Sequence, residues 1–416
     1  MAAGVAASFG TPLYAQRAPA RVRLGFLGFG QRGVVLARAA RTLPGVEIAA
    51  VADLYEGRRT LAIEVAGEKC AVGSAARRVI ESPEVEAVVI ATPDHWHVPF
   101  ATAAAAAGKD VYCEPPVTHT LAQTEALTKA FDGKRLLQCG GARVTSPLYA
   151  AAKEQIQSGR LGRVTQIHGL WETASSSEAW RPKFPPDASP DTIDWKGFLG
   201  ALPAREFDLY RFFRWQRYWD YSAGLAGARF GIQLSAIHWL LDATGPERVT
   251  AAGGIRRWKD GREVPDTMTG VFEYSEGFMV TLTATQNGGR QQELRIVGTD
   301  GTLLIGEDKL TFLPEPLDEP YPETGESWPK EYRDWFYMIH SRAPDGQLRS
   351  GASVLKAAEV FELSANVNAP ALHLADFVDA VRFRRAPKEP LALGIASAAA
   401  AHRANESYRQ GKSLTR

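Results

Sequence analysis

The sequence predicts an α/β protein in which a doubly wound parallel sheet is followed by an α+β domain with a large open, mainly antiparallel sheet. The chain has 416 residues, which is more than one hydrophobic core usually serves. From Arg23 to about Gln138, strand-like apolar runs alternate with helical segments, as a parallel sheet requires. Beyond Pro147 this alternation ends, and short alternating segments indicate antiparallel strands.

The first strand runs directly into a glycine-rich turn. The apolar run that begins at Arg23 leads into G-x-G-x-x-G and then into a helix-like segment. The three glycines allow a tight turn, a close backbone approach to a pyrophosphate, and close packing of helix on strand. A second apolar run, 46–52, ends at a carboxylate that would accept ribose hydroxyls. This context predicts a dinucleotide-binding Rossmann domain over residues 21–145, with cofactor contacts from Gly28, Phe29, Gly30, Gln31, Arg32, Gly33 and Asp53.

Two later strands bring further residues to the same edge of the sheet. Residues 85–91 form a strand that ends in Thr-Pro-Asp-His-Trp-His, and residues 110–113 form one that ends in Glu-Pro-Pro. Ligands of doubly wound sheets lie beyond the carboxyl ends of the strands. The sequence therefore predicts additional cofactor contacts from Thr92, Pro93, Asp94, His97 and Glu114. Arg143, which follows the end of the alternating segment near Gln138, is predicted as a further contact.

The acid at the end of the second strand also predicts which dinucleotide binds. The Asp53 carboxylate should repel a 2′-phosphate, so NAD is the expected cofactor and NADP is less favoured. Arg58 and Arg59 lie close by in the sequence and would weaken this preference.

The composition excludes several classes of partner. The 48 basic and 47 acidic side chains nearly cancel, so no field favours nucleic acid or a membrane surface. The eight histidines and three cysteines are too widely spaced for a zinc site or a disulfide framework, and no metal is expected. No segment approaches the ~20 apolar residues of a membrane-spanning helix.

Residues 1–20 stand apart from the predicted fold. The stretch from Ala2 to Ala15 is uncharged, apolar and rich in small residues, which is typical of the later part of an export signal. One interpretation is a twin-arginine-type signal whose start lies upstream, on a periplasmic or secreted protein. The alternative is an alanine-rich leader on a cytoplasmic protein.

Residues 146–416 are predicted to form the second domain. A long surface loop, 175–194, precedes a cluster of aromatic and arginine residues, 210–221. A Pro- and acid-rich insertion, 314–329, precedes C-terminal helices that pack back toward the Rossmann domain, the last of them at 395–409. Strands of the open sheet are expected near Thr250, Val271, Val280, Leu294 and Leu303.

These motifs resemble the glucose–fructose oxidoreductase, inositol dehydrogenase and rhizopine catabolism (Gfo/Idh/MocA) family over nearly the whole chain. The resemblance implies a Rossmann domain that holds NAD(P) and a second domain whose open sheet covers a sugar site and mediates homo-oligomerisation. It also implies reversible hydride transfer at a sugar or cyclitol carbinol. The His-Trp-His form looks most like the secreted branch. The matching stretches are 25–33, 51–53, 91–97, 108–114, 140–143, 158–162, 194–195, 214–215 and 373–377.

The chain departs from the family at the positions that move a proton. The lysine of the family's Glu-Lys-Pro is Pro115 here, and the family's Asp-x-x-x-His pair falls on Ala228 and Ile232. A further family Asp falls on Ser235. A positioned base contributes ~10²–10⁴-fold to such a reaction. Proline, alanine and isoleucine offer no titratable group, so the usual relay cannot run.

Four residues are candidates for a substitute base. His95 and His97 lie on the loop beside the expected nicotinamide, where an imidazole could accept a proton. Their alternative role is to hold that loop. Tyr218 and Tyr221 belong to the aromatic cluster, which suits either a sugar face or packing between the domains.

Three functions therefore remain open. The first is an NAD(P)-dependent oxidoreductase that acts on a sugar, cyclitol or glycoside and has moved its base. The second is an enzyme in which held NAD oxidises a glycoside transiently, so that a bond is eliminated with no net redox change. The third is a non-catalytic scaffold that binds a dinucleotide or a sugar. The intact cofactor motifs favour the first, although fold analogy alone cannot decide.

Overall fold

The computed structural model describes residues 21–131, 133, 135–173, 179–289, 291–314, 327–340, 358–363 and 367–416. The predicted leader, 1–20, lies outside the described residues, and so does most of the insertion predicted at 314–329. Two sheets organise the described chain, one of six strands and one of nine.

The six-stranded sheet belongs to the N-terminal part and is parallel throughout. Its strands are β1 (Val22–Leu27), β2 (Val46–Ala52), β3 (Ala71–Gly73), β4 (Ala87–Ile90), β5 (Asp110–Cys113) and β6 (Leu137–Cys139). The intervening helices are α1 (Gln31–Thr42), α2 (Glu56–Ala66), α3 (Ala76–Glu81), α4 (His97–Ala106) and α5 (Thr124–Ala130). The spatial order is β3-β2-β1-β4-β5-β6. This confirms the predicted Rossmann sheet, and it puts the switch point between β1 and β4, where such folds bind ligands.

The nine-stranded sheet forms the second unit. Its strands are β7 (Val164–Glu172), β8 (Arg248–Gly254), β9 (Thr267–Glu273), β10 (Met279–Thr285), β11 (Gln291–Gly298), β12 (Gly301–Ile305), β13 (Lys309–Pro314), β14 (Glu359–Glu362) and β15 (Leu414–Thr415). The order is β14-β13-β12-β11-β7-β10-β9-β8-β15. All pairs are antiparallel except β7 with β10, which confirms the mainly antiparallel sheet.

Helices cover one face of this sheet. The helices after β6 are α6 (Pro147–Gln157), α7 (Trp195–Leu199), α8 (Leu209–Phe213), α9 (Gly231–Leu241), α10 (Lys330–His340), α11 (Ala369–Phe383) and α12 (Leu391–Gln410). Of these, α6, α9 and α12 pack on the sheet. A π-helical turn, Ala226–Phe230, leads into α9. On β10, Val280 and Leu282 are fully buried against the helices, whereas Thr281 and Thr283 face the other way and are partly exposed. The alternation leaves the second face of the sheet without a helical layer among the described residues.

The C-terminal helices connect the two units. Phe377 of α11 lies in one apolar cluster with Phe26 of β1 and Leu36 of α1. α12 packs on both α9 and β8 of the second unit. This last helix begins at Leu391, one turn before the predicted start at residue 395, because Pro390 can stand at a helix N-terminus.

Candidate cofactor and substrate site

The glycine-rich turn between β1 and α1 has the geometry that a dinucleotide needs. Gly28 has a φ of 84°, and a Cβ there would lie 2.6 Å from the carbonyl oxygen of Ala91. A Cβ on Gly33 would lie 2.2 Å from the carbonyl oxygen of Gly28, so only glycine lets α1 approach β1 this closely. At Gly30 the nearest foreign atom is Cζ of Arg58, 3.6 Å away, so this glycine keeps the space before the helix open. No side chain caps α1, whose N-terminal N–H groups suit a pyrophosphate.

Asp53 follows β2 and is almost fully buried. Its Oδ2 accepts a hydrogen bond from the backbone N–H of Phe29 at 2.6 Å, and its Oδ1 accepts one from Tyr55 N–H at 2.9 Å. Arg58 Nη1 lies 3.8 Å from Oδ1. A carboxylate oxygen accepts more than one hydrogen bond, so these contacts orient Asp53 and leave capacity for ribose hydroxyls. The residues present therefore fit the adenosine half of NAD.

Glu114 and Arg32 form an ion pair at the centre of the edge. Arg32 Nε lies 2.8 Å from Glu114 Oε2, and a Cβ on Gly140 would come within 2.6 Å of Glu114 Oε1. Burial raises the pKa of Glu114, and Arg32 opposes that rise. Burial disfavours the charge on Arg32, but Glu114 more than offsets this and raises the pKa of the guanidinium. The acid therefore holds Arg32 at the glycine-rich turn.

The loop after β4 forms hydrogen bonds with both domains. His97 is buried, with Nδ1 2.8 Å from the carbonyl oxygen of Pro116 and Nε2 3.0 Å from that of Thr92. Burial lowers the pKa of His97, which favours the neutral ring. Asp94 Oδ2 accepts a hydrogen bond from Ala223 N–H of the second domain at 2.8 Å. Burial raises the pKa of Asp94 to about 8.

The structure gathers the predicted cofactor residues at the carboxyl edge of the six-stranded sheet, since each follows the end of a parallel strand. These residues are Gly28, Phe29, Gly30, Gln31, Arg32, Gly33, Asp53, Thr92, Pro93, Asp94, His97, Glu114 and Arg143.

The positions expected for a proton relay also come together. Pro116 Cγ lies 3.3 Å from the place that a Cβ on Gly227 would occupy. Pro115 and Ala228 adjoin these two residues in the chain, so the loop after β5 faces the turn before α9. Neither Pro115 nor Ala228 can accept a proton, and neither can Ile232 on α9. Ser235 points elsewhere, because its hydroxyl donates to the buried carboxylate of Glu389.

The four candidate bases are all buried. His95 Nε2 donates to the carbonyl oxygen of Phe198 at 2.9 Å. Burial lowers the pKa of the ring to about 4, and the backbone groups of Phe198 and Tyr221 oppose that fall. Tyr221 is completely buried, with its ring centroid 5.4 Å from that of His95. The guanidinium of Arg211 lies 4.2 Å above the ring of Tyr218. His97 uses both ring nitrogens in the loop contacts, and a catalytic role for any of the four stays a prediction.

The arginines of the aromatic cluster are engaged in packing. Arg217 is fully buried, with Nη2 3.2 Å from Asp260 Oδ2, and its Nε donates to the carbonyl oxygen of Trp180 at 2.7 Å. Arg214 Nε donates to the carbonyl oxygen of Pro182 at 3.2 Å. These contacts favour the packing interpretation of this cluster over a sugar platform.

A second group of polar side chains lies where the two domains meet. Arg143 follows β6, and its Cζ lies 5.0 Å from the ring centroid of Trp171 on β7. Arg229, in the turn before α9, places its Cζ 4.6 Å from the same ring. Arg143 Nη2 also lies 3.5 Å from Gln292 Oε1. We call Arg143, Trp171, Arg229, Gln233 and Gln292 the arginine–tryptophan cluster.

Of this cluster the sequence analysis identified only Arg143. Arg229 directly follows Ala228, and Gln233 directly follows Ile232. Residues four apart share a helix face, so Arg229 and Gln233 were recognisable as neighbours of the missing relay. Trp171 and Gln292 carry no such signal, because only the pairing of β7 with β11 brings them together.

Several other features can be stated for the described part of the chain. There, no three His, Cys, Asp or Glu side chains are arranged to hold a metal ion. Within the same ranges, no helix has the length and hydropathy needed to cross a bilayer. Cys70, Cys113 and Cys139 are buried free thiols.

Both halves of the chain match one group of oxidoreductases. Residues 22–139 match the GFO/IDH/MocA oxidoreductase family with an NAD-binding Rossmann fold, and residues 198–304 match the GFO/IDH/MocA C-terminal domain. Inositol 2-dehydrogenase 2 of Saccharopolyspora erythraea is 34% identical over 295 residues, which are 68% of this chain and 73% of that protein. Levoglucosan dehydrogenase of Pseudarthrobacter phenanthrenivorans is 27% identical over 251 residues, 56% of this chain and 58% of that protein. The sequence match thus spans little more than half the length of levoglucosan dehydrogenase.

Solved structures share the fold at lower identity. Levoglucosan dehydrogenase in complex with NADH gives a TM-score of 0.72 at 17% identity, covering 95% of this chain and 99% of that one. GenD2 from gentamicin A biosynthesis, in complex with NAD, gives a TM-score of 0.70 at 18% identity, covering 98% and 99% of the two chains.

Proposed function

The chain belongs to the GFO/IDH/MocA family of NAD-binding oxidoreductases, and on that premise we propose that it transfers hydride between NAD(H) and the carbinol carbon of a sugar or cyclitol. Two relatives are named for an inositol and for levoglucosan, an anhydrosugar, which supports this class of substrate. The predicted cofactor residues lie at one edge of the Rossmann sheet, and the turn before α9 packs against the loop after β5 at that edge, which supports a substrate site there.

The observation that carries the proposal is the geometry of the glycine-rich turn, the N-terminus of α1 and Asp53. Gly28 and Gly33 allow the close turn, and the uncapped N-terminus of α1 offers N–H groups to the pyrophosphate. Asp53 is already oriented by Phe29 N–H to accept ribose hydroxyls. NAD supplies the hydride acceptor when bound. The chain's part is to hold that cofactor and to position a hydroxyl-bearing carbon beyond β4 and β5.

The hydroxyl proton needs an acceptor other than the family's lysine. Pro115 and Ala228 supply none, and Glu114 is committed to Arg32. We propose His95 as the substitute, because its imidazole lies on the loop after β4, at the edge where the nicotinamide is expected. Burial lowers the pKa of this ring to about 4, so the ring is neutral at pH 7 but is a weaker base than an exposed histidine.

The test is to mix the purified protein with NAD⁺ and a panel of sugars, cyclitols and glycosides, and to follow NADH absorbance and product together. Net oxidation predicts absorbance that persists with a stoichiometric ketone. His95→Gln should then lower the rate by about 10²-fold or more. Absence of product from every member of the panel would overturn the proposal and favour the binding scaffold.

A transient oxidation is the second candidate, and the missing relay at Pro115 and Ala228 favours it. In that reaction the sugar returns the hydride after a bond has been eliminated. The same assay separates the two, because cleaved glycoside without persistent NADH indicates the transient route.

We also propose that two copies of the chain associate through the open face of the nine-stranded sheet. Thr281 and Thr283 of β10 lie on that face, which no described helix covers. Light scattering should report an oligomer, and Thr281→Arg should shift it toward the monomer by placing a charge in the interface. A monomeric parent protein would contradict this proposal.

Export remains the proposed role of residues 1–20. The first described strand begins at Val22, and we expect deletion of residues 1–16 to leave the melting temperature and NAD binding unchanged. Mass spectrometry of native protein should find an N-terminus near Gln16. An intact Met1 in material expressed with its upstream reading frame would favour the cytoplasmic alternative.

A further inference from the structure

We infer that Phe212 and Phe213, in the second domain, set the preference for NAD over NADP by holding Arg58 in its ion pair with Asp53. Both phenylalanines act through Arg58, so they are positioning residues. This role is separate from the proposed reaction, because it decides which dinucleotide binds and not what the bound cofactor does. It can therefore be tested without a substrate.

The guanidinium of Arg58 lies between an acid and two aromatic rings. Its Nη1 is 3.8 Å from Asp53 Oδ1. Its Cζ is 5.6 Å from the ring centroid of Phe212 and 5.3 Å from that of Phe213. A guanidinium within about 6 Å of a ring centroid is attracted to the ring. The two rings therefore help to keep Arg58 beside the Asp53 carboxylate.

The two rings are themselves fixed by packing. Phe212 and Phe213 are buried, and their ring centroids lie 5.0 Å apart in an edge-to-face pair. Tyr55 places its ring centroid 5.5 Å from that of Phe213, and its backbone N–H donates to Asp53 Oδ1 at 2.9 Å. The helix α8 thus packs against the same loop that carries Asp53 and Arg58.

Backbone hydrogen bonds join the second domain to that loop. The N–H of Glu56 donates to the carbonyl oxygen of Thr192 at 2.9 Å, and the N–H of Asp194 donates to that of Leu54, also at 2.9 Å. These bonds involve no side chain. Replacing one aromatic ring should therefore change the surroundings of Arg58 without separating the loop from the second domain.

Held in this way, Arg58 is poorly placed to bind a 2′-phosphate. An arginine near the end of the second strand can accommodate that phosphate when its guanidinium is free to face it. Here the Asp53 carboxylate matches the charge of Arg58, and the neighbouring Arg59 donates through Nη1 to the carbonyl oxygen of Asp53 at 3.1 Å. Both arginines that were expected to weaken the preference for NAD are thus engaged by the folded chain.

The ratio of the dissociation constants of NADP and NAD isolates the effect of the 2′-phosphate, because general damage to the site weakens both cofactors alike. Calorimetric titration of the full chain with each cofactor gives this ratio, and we expect the parent protein to bind NAD more tightly. Phe213→Leu should lower the ratio by about 3- to 10-fold, the change expected from losing one cation–π contact. Tighter binding of NADP to the parent, or an unchanged ratio in folded Phe213→Leu protein, would overturn the inference.

Arg58→Lys provides a test that leaves both buried rings in place. Lysine keeps the charge but lacks the planar group that stacks on an aromatic ring. The Arg58 side chain is 28% exposed, so the replacement should disturb the packing little. The ratio should fall as it does in Phe213→Leu. If melting temperatures show that the phenylalanine variant does not fold, an unchanged ratio in Arg58→Lys refutes the role of the rings.

A double variant shows whether Phe213 acts through Arg58. Arg58→Gln removes the cation, so the ratio should stay at or above the parent's value. Adding Phe213→Leu to that variant should then change the ratio by less than about 2-fold. A fall as large as that in Phe213→Leu alone would show that the ring does not act through Arg58.

The matched control is Phe207→Leu. Phe207 packs against the same buried apolar cluster as Phe212 and Phe213, but its ring lies against Trp195, with the two centroids 5.7 Å apart. The control should leave the ratio of the dissociation constants unchanged. A fall equal to that in Phe213→Leu would mean that any loss of an aromatic ring from this cluster alters the site, which contradicts the specific role of the two phenylalanines.

Discussion

Arg32 and Glu114 form an ion pair across the carboxyl edge of the six-stranded sheet, with Arg32 Nε 2.8 Å from Glu114 Oε2. Arg32 lies in the first turn of α1, and Glu114 follows β5, on the far side of β4 from β1. The pair thus spans the switch point where the dinucleotide is expected. The ion pair also explains why Glu114 is unavailable as a base, because the Glu114 carboxylate is paired with the guanidinium of Arg32.

Replacing Glu114 with glutamine should weaken the site without unfolding the domain. The loss of the ion pair should cost about 1–3 kcal/mol, a figure reduced because Arg32 is partly exposed. Denaturant unfolding measures that loss, and NADH titration should show weaker binding as Arg32 becomes free to move. A variant with the parent's stability and NADH affinity would show that the pair positions nothing.

Substitutions of two glycines should both weaken NAD binding, but only one of them should lower the stability of the fold. Gly33→Ala introduces a Cβ 2.2 Å from the Gly28 carbonyl oxygen, so it should lower stability by about 1–3 kcal/mol and abolish NAD binding. Gly30→Ala meets only the Arg58 side chain at 3.6 Å, so the melting temperature should hold while NAD affinity falls. Thermal unfolding and calorimetry on both variants check this. Equal destabilisation by the two would contradict the assigned roles.

The dinucleotide preference should follow Asp53. Its carboxylate repels a 2′-phosphate, so NAD should bind more tightly than NADP despite the nearby Arg58. Asp53→Asn should narrow that difference by reducing affinity for NAD more than for NADP. Calorimetric titration of both cofactors gives the ratio, and tighter binding of NADP to the parent protein would reverse the prediction.

Restoring one relay position should not restore the relay. Pro115→Lys alone should leave sugar oxidation near the parent's rate, because Ala228 and Ile232 still lack titratable groups. The triple variant Pro115→Lys, Ala228→Asp, Ile232→His should oxidise neutral sugars about 10²-fold faster or more. Steady-state rates measure both. A large gain from Pro115→Lys by itself would mean that another base already completes the path.

Acid should destabilise the fold through buried neutral histidines. Burial lowers the pKa of His238 to about 4, below the usual value near 6.5, so the unfolded chain binds the extra proton first. The stability contributed by the neutral ring is therefore complete above pH 6.5 and is lost as pH falls toward 4. His238→Gln should make the loss shallower by up to about 1.4 kcal/mol per pH unit. Urea unfolding between pH 4 and 7 tests the slope, with the parent protein as reference.

The cofactor half of this protein could be predicted from the sequence because its determinants are local. A strand, three glycines and a helix stand within one short stretch, and Gly28 and Gly33 are required by contacts inside that stretch or with the adjacent strand. The parallel sheet follows from the same local alternation, since strands buried on both faces are apolar throughout. The loss of the relay at Pro115, Ala228 and Ile232 stays a prediction from residue identity and the family resemblance.

The substrate half was decided by tertiary structure. Trp171 contacts both Arg143 and Arg229 because β7 lies next to the turn before α9. No local pattern in the sequence predicts that contact. Ser235 meets Glu389 across 154 residues of chain. Tyr221 and His95, which the sequence offered as bases, are buried by the packing of one domain on the other. Short-range spacing thus determined the glycine-rich turn and its acid, while long-range packing determined which side chains are buried and which meet between the domains, because exposure and pairing are properties of the assembled domains.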